Sequence, residues 1–204
     1  MIRLDDRVPP TMYRTMRWEG MDAVEAIANA SMALLARPVK IDLHATPMLC
    51  WLWRVERVVD TADMETKRGD DYAARVYVAF QLPKRSMSLA VRAQLALARM
   101  LYGEHVPDGA INYVWDNRHP VGTHRRNAYT DRTQMIVLRS GNGEAGGWVV
   151  ERRNVRDDVI RAFGTDQATL DLVAIAADTD NTGERVRSGF ADLRFVETNR
   201  QCYP

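Results

Sequence analysis

From Lys67 to Phe80 the chain reads KRGDDYAARVYVAF. Two adjacent carboxylates, Asp70 and Asp71, lead into a run whose alternate positions are Tyr72, Ala74, Val76, Val78 and Phe80. Ala73, Arg75, Tyr77 and Ala79 occupy the positions between them. Successive side chains of a strand point to opposite faces, so the segment predicts a strand with one apolar face and one face offering a guanidinium and a phenol. A half-buried strand of this kind belongs in an antiparallel sheet that lays one side on the core and presents the other as a surface.

Similar short runs recur along the chain. Strands are expected at Ala23–Asn29, Ser31–Ala36, Val39–Leu43, Met48–Glu56, Tyr72–Phe80, Ile111–Trp115, Gln134–Arg139, Gly147–Arg153, Leu170–Ala177 and Phe190–Val196. About ten closely spaced strands point to a β-sandwich or barrel rather than to alternating strands and long helices. Two helices interrupt them. The first is expected over Ser86–Tyr102, with Ser86 or Ser88 as N-cap and Gly103 as C-cap. Its stripe of Met87, Val91, Leu95, Ala98 and Tyr102 has helical spacing and should lie against a sheet. The second follows Asn154, a good N-cap, carries Asp157 and Asp158 at the positive end of the dipole, and closes at Gly164. Neither a repeat nor a linker divides the 204 residues, and a chain of this length builds one core. The expected fold is therefore mainly β: a single-domain antiparallel β-sandwich over residues 1–204 with two peripheral helices.

Composition excludes some functions. With 28 Lys plus Arg against 27 Asp plus Glu, the net charge of +1 carries no basic excess for nucleic acid. No apolar run reaches the length of a membrane span. The residues after Met1 lack a signal-peptide h-region, which leaves a cytoplasmic protein, or a periplasmic or extracellular one whose signal has been removed. Cys50, inside the apolar run from Met48 to Val55, reads first as a small packed hydrophobe. A disulfide to Cys202 in the tail is the alternative, which spacing alone does not support.

Familiar catalytic patterns are missing: no GxSxG elbow, no P-loop, no HExxH and no glycine fingerprint between a strand and a helix. Ser140–Gly147 reads as a hairpin turn. The long irregular stretch 116–132 gathers Arg118, Arg125, Arg126, Arg132, His119 and His124, either as a solvated loop or as an anion grip. In DTDNTGE, from Asp178 to Glu184, the oxygens of Asp178 and Asp180 alternate as in calcium loops, whereas the plainer reading is an Asx-rich turn. A calcium ion held by Asp178 and Asp180 is thus one expectation, and a ligand-facing acidic pair another.

Strand alternation also assembles a candidate ligand site. If Trp51, Trp53, Val76, Val78 and Phe80 face the core, then Arg54, Glu56, Arg75 and Tyr77 share the opposite side, with Asp71 at the start of their strand. Glu151 and Asn112 join from neighbouring strands, and Trp115, entering the basic loop, is the candidate for exposed stacking. Aromatic, guanidinium and carboxylate groups on one sheet face suit a sugar ring. The competing reading is an ion-pair cluster of Arg54, Arg75, Asp71 and Glu151 that only satisfies partly buried charges.

WLWRVERV, KRGDDYAARVYVAF, INYVW, MIVLRSG, WVVERRNV and DTDNTGE, in that order, resemble the bacterial domain of unknown function 3047 family over roughly Pro47 to Phe195. The resemblance implies a jelly-roll, galactose-binding-like sandwich, a class rich in carbohydrate-binding modules. Its members usually carry a secretion signal, which implies the envelope. It implies no activity. The favoured reading is a non-catalytic module that binds a glycan or small polar ligand and requires no cofactor. A hydrolase or lyase using paired carboxylates such as Asp71, Glu151 and Asp178, and an assembly protein with no small ligand, are the alternatives. Oligomeric state is not readable from the chain.

Overall fold

The computed structural model describes residues 1–3, 5–102 and 106–203. Its elements follow in the order β1 (Met12–Trp18), β2 (Met21–Asn29), β3 (Leu35–Pro38), β4 (Met48–Val55), β5 (Tyr72–Gln81), α1 (Leu89–Tyr102), β6 (Gly109–Asp116), β7 (His124–Arg126), β8 (Thr133–Ser140), β9 (Val149–Asn154), α2 (Val155–Phe163), β10 (Thr169–Asp178) and β11 (Arg185–Val196). A first sheet has the strand order β1-β2-β11-β4-β9, and a second has β3-β10-β5-β6-β8-β7. The fold is mainly β, as expected.

The core lies between the sheets. From the first, Trp51 and Trp53 of β4 project inward; from the second, Tyr113 and Trp115 of β6 meet them, with ring centroids 5.5 Å apart for Trp51–Tyr113 and 5.7 Å for Trp53–Trp115. Val76, Val78 and Phe80 of β5 join the same buried cluster. Trp115 is therefore a core residue, not an exposed stacking platform, and its indole N–H donates to the Gly141 carbonyl at 3.0 Å.

Several expectations shift. The segment Val39–Leu43 forms no strand, whereas β1 does, because a two-residue connection joins it to β2. Glu19 and Gly20 both take positive φ, 52° and 82°, the conformation that a tight hairpin with native twist demands. The stretch 116–132 contains the short strand β7, and β6 pairs with β8 in parallel while every other pair is antiparallel. Ser140–Gly147 does not turn a hairpin: it carries the chain from β8 in the second sheet to β9 in the first.

The helices differ in how they close. α2 has the expected ends: Asn154 accepts from the Asp157 amide at 3.2 Å, and Gly164, at φ 69°, donates back to Ile160. α1 begins at Leu89, three residues after the expected start, with the Ser88 hydroxyl accepting from the Val91 amide at 3.2 Å. Leu95 is buried and Val91 and Ala98 are half-buried, while the C-cap expected at Gly103 and the side chain of Tyr102 lie outside the described residues.

Cys50 and Cys202 are joined in a disulfide, with Cα atoms 5.5 Å apart. The thiol read as a packed hydrophobe is thus a tether. It draws the C-terminal tail over the outer face of the first sheet, where Tyr203 packs beside Leu52 and Ala191. That cover over Cys50 and Leu52, with Trp18 and Trp148 over Arg54, buries the outer face of β4.

Candidate functional site

β5 lies at the centre of the second sheet, between β10 and β6. On its outer face Tyr77 stands opposite Ala174 and Asn112, and Arg75 opposite Ala176 and Val114. Near its start β5 spends one residue more than β10, since Ala176 pairs with Arg75 but Asp178 pairs with Tyr72. A bulge of this kind re-aims side chains. It turns Tyr72 to the same side as Arg75, with the guanidinium 4.3 Å from the ring centroid, so the simple alternation that placed Tyr72 with Ala74 and Val76 ends there.

Arg75 is almost completely buried, and four of the five N–H groups of its guanidinium are hydrogen-bonded. Nε donates to Asp178 Oδ1 at 2.7 Å and Nη1 to the Tyr77 hydroxyl at 3.1 Å, while Nη2 donates to Asp178 Oδ2 and to the Asp70 carbonyl. Asp70 Oδ2 lies 3.7 Å from Nη1 and accepts from Asn127 Nδ2 at 2.8 Å. Burial pushes the Tyr77 phenol up to about 12, with Arg75 opposing. Burial likewise drives Asp178 well above the usual carboxylate range; Arg75 pulls it down, and Asp71, Asp70 and Asp180 push it further up. Asp180 is raised for the same reasons, burial first and then Asp71.

The turn DTDNTGE is folded around Asp71. This carboxylate accepts from the Asn181 amide at 3.1 Å, Asn181 Nδ2 at 3.0 Å and the Thr182 amide at 2.7 Å. The turn reading of the segment holds, with Gly183 at φ 75° completing it. Asp71, Asp178 and Asp180 bring carboxylate oxygens within 4.8 Å of one another. Asp71 is spent on amides and Asp178 on Arg75, which leaves Asp180 as the member of the trio with a buried oxygen, Oδ1, that no donor reaches.

Above these groups opens a pocket of about 500 Å³. Asp70, Arg75, Tyr77, Asp178 and Asp180 form its polar side, and Ile2, Val8, Met32, Leu34 and Leu172 its apolar side, with Asn127, Tyr129 and Asn181 at the edge. Tyr129 is half exposed and its hydroxyl donates to Asn181 Oδ1 at 2.9 Å, which joins the loop after β7 to the turn.

The structure separates residues that alternation had grouped. Arg54 is on the outer face of the first sheet, across the core from Arg75. There it stacks on Trp18 at 4.3 Å and lies 5.7 Å from the Trp148 ring, while its Nη2 donates to the Gly146 carbonyl at 2.6 Å. Glu151 is at neither place. It accepts from Trp53 Nε1 at 3.1 Å and Arg139 Nε at 2.6 Å, linking β9 of one sheet to β8 of the other. Asn112 does flank Tyr77, but it is fully buried and donates to Met135 Sδ at 3.5 Å, beneath the pocket instead of on its wall.

The arginines of the basic loop have partners within the protein. Arg118 pairs with Asp63, Arg125 with Glu65 and Arg126 with Asp131, and Arg132 donates to the Asp108 carbonyl. Its contribution to the site is Asn127 and Tyr129, which the focus on arginines overlooked. The apolar wall was missed too, since Met32 and Leu34 read as strand core; they pack on Ala174 and Ala176 of β10, with Ile2 bridged to Leu34.

A mainly β chain of two facing sheets, with a half-apolar pocket on the outside of one of them, is the class these features define. The chain belongs to the family described as protein of unknown function, DUF3047, whose model matches residues 2–194. No curated protein matches it.

Proposed function

We propose that the protein is a binding module without catalytic activity, and that a small polar ligand or a single glycan residue seats in the pocket over Arg75 and Tyr77. The observation that carries this reading is the composition of the pocket: one wall of aliphatic side chains faces a floor of buried, ordered polar groups. Ligand sites commonly combine an apolar lining with a few fixed polar groups in cavities of this size. Arg75 enters as the counter-ion that holds the floor together, while Asp70, Asp180 and the rim residues Asn127 and Tyr129 meet the ligand. A wider groove of about 710 Å³ runs under α1, past Leu82, Met87 and Arg99, but of its two acids Asp108 is bonded to Arg99 and to the Leu82 amide, and Asp171 accepts from Gln81.

Binding is favoured over hydrolysis because the acids considered for catalysis, Asp71, Asp178 and Glu151, are each held by donors of the protein. Glycosidases need one free carboxylic acid and one free carboxylate about 5 Å or more apart around the scissile bond. Asp71 and Asp178 are closer than that and hydrogen-bonded on all sides, and Glu151 is elsewhere. The Cys50–Cys202 disulfide supports an oxidising compartment, such as a bacterial envelope, for the working protein.

The test is a ligand-observed NMR screen of neutral sugars, amino sugars, uronic acids and amino acids against the wild type and Leu172→Trp, which fills the pocket. At least one compound should bind the wild type and not the variant, and should emerge unchanged. Absence of any such compound would defeat the module reading, and conversion of a bound glycoside to product would replace it with the hydrolase.

A further inference from the structure

Resting on the pocket reading above, we infer that its ligand carries a protonated amine, an amino sugar being the type that fits both walls. The argument is an inventory of donors and acceptors. Among the described residues the one cation in the lining is Arg75, and four of its five N–H groups go to Asp178, Tyr77 and the Asp70 carbonyl, while the fifth, on Nη1, faces Asp70 Oδ2 at 3.7 Å. The amides nearest the floor are also turned away: Asn181 gives its N–H groups to Asp71, and Asn127 gives Nδ2 to Asp70. An incoming anion therefore finds no charged donor that does not already face a carboxylate.

Acceptors are in surplus. Asp70 is 6% exposed, lines the pocket, and has one oxygen, Oδ1, that receives no hydrogen bond; Asp180 Oδ1, also in the lining, receives none either. Among the described residues four carboxylates line the pocket, Asp5, Asp70, Asp178 and Asp180, against a single guanidinium. Asp5 is matched by Arg7 at the rim and Asp178 by Arg75, which Asp70 shares only at 3.7 Å and through one oxygen, so the under-compensated groups are Asp180 and the Oδ1 side of Asp70. A buried carboxylate oxygen without a partner is costly.

A protonated amine supplies what is lacking, three N–H donors and one positive charge, with charge-assisted bonds that exceed neutral ones in strength. A neutral hydroxyl supplies one donor and no charge. The aliphatic wall of Met32, Leu34 and Leu172 then receives the C–H face of the ligand body. A divalent cation is a poorer occupant. The three carboxylates closest to each other include Asp71 and Asp178, whose oxygens are already engaged, and exclude Asp70.

Isothermal titration and NMR at pH 6.5 with glucosamine, ethanolamine, glucose, N-acetylglucosamine and calcium chloride separate the possibilities. Glucosamine should bind the wild type about tenfold more tightly than glucose or N-acetylglucosamine, weaken as sodium chloride is raised, and lose its advantage in Asp180→Asn. Asp180 is half-buried in a turn, so this variant retains the fold, checked by its thermal midpoint. The salt dependence in the wild type gives the same answer without any substitution. Equal binding of the three sugars would overturn the amine while leaving the pocket reading intact. Calcium binding that Asp180→Asn removes, with no response to either amine, would make this a metal site and overturn the amine as well. If neither amine nor any sugar shifts residues of the pocket, the amine and the pocket reading fail together.

Discussion

Arg75 and Asp178 form a two-point ion pair between neighbouring strands, buried on both sides, at the floor of the pocket. The bulge in β5 is what lets them meet, because it places Asp178 opposite Tyr72 and leaves Arg75 to reach along the face. Asp178 stands close to three other carboxylates, so the guanidinium is the group that makes its burial tolerable.

Arg75→Met should therefore act on stability before it acts on binding. Removing one partner of a buried pair costs about 3–5 kcal/mol because the other charge is left uncompensated. Urea titration should show that loss, and Arg75→Met combined with Asp178→Asn should recover part of it. A fully stable single variant would mean the pair does not hold the floor.

Asp180 behaves in the opposite sense. Its carboxyl is raised above the ordinary 3.8, by burial first and by Asp71 next. A carboxyl raised in the folded state contributes stability below its unfolded value, and that contribution is lost as pH climbs through the folded value. Asp180→Asn should thus be at least as stable as the wild type at neutral pH, with the difference vanishing below about pH 3.8. Thermal midpoints measured from pH 3 to pH 8 check this; a variant less stable at neutral pH would contradict it.

What was legible in the chain were faces and ends. Val76, Val78 and Phe80 pack inward as alternation requires, and Asn154 and Gly164 close α2 because caps act through local backbone geometry. Partners were not legible. Arg54 and Arg75 each stand on the outward side of a strand, but alternation says nothing about which sheet the strand joins, and their sheets face each other across the tryptophan core. Asp71 and Asp178 are distant in sequence from most of their partners, so only the turn after β10 reveals what they bind. Trp115 looked exposed because charge follows it immediately, yet its side chain points with Tyr113 into the core. Cys50 found Cys202 through a tail whose path no local pattern specifies.

Glu151 ties the sheets together at the edge of that core. Burial raises its carboxyl above the ordinary 4.5, with Arg139 and Trp53 opposing. Glu151→Gln keeps an acceptor for the Trp53 indole, whereas Glu151→Ala strands that buried N–H. The alanine variant should be less stable than the glutamine variant by about 1–3 kcal/mol, the cost of an unsatisfied buried donor. Chemical denaturation of the two, followed by tryptophan fluorescence, makes the comparison.

The disulfide supplies the last test. Cys50 and Cys202 are 152 residues apart in a chain of 204, so their bond closes about three quarters of it and removes much of the freedom of the unfolded state. In the folded state it fixes only the tail, over Cys50, Leu52 and Ala191 on the outer face of the first sheet, far from the pocket on the second. Cys50→Ser paired with Cys202→Ser should therefore lose about 2–4 kcal/mol of stability. Ligand affinity in the pocket should be unchanged, and reduction of the wild type with dithiothreitol should have the same effect. An oxidised protein no more stable than the double variant would show that the tail stays docked by packing alone, while a change in affinity would show that the two outer faces communicate through the tryptophan core.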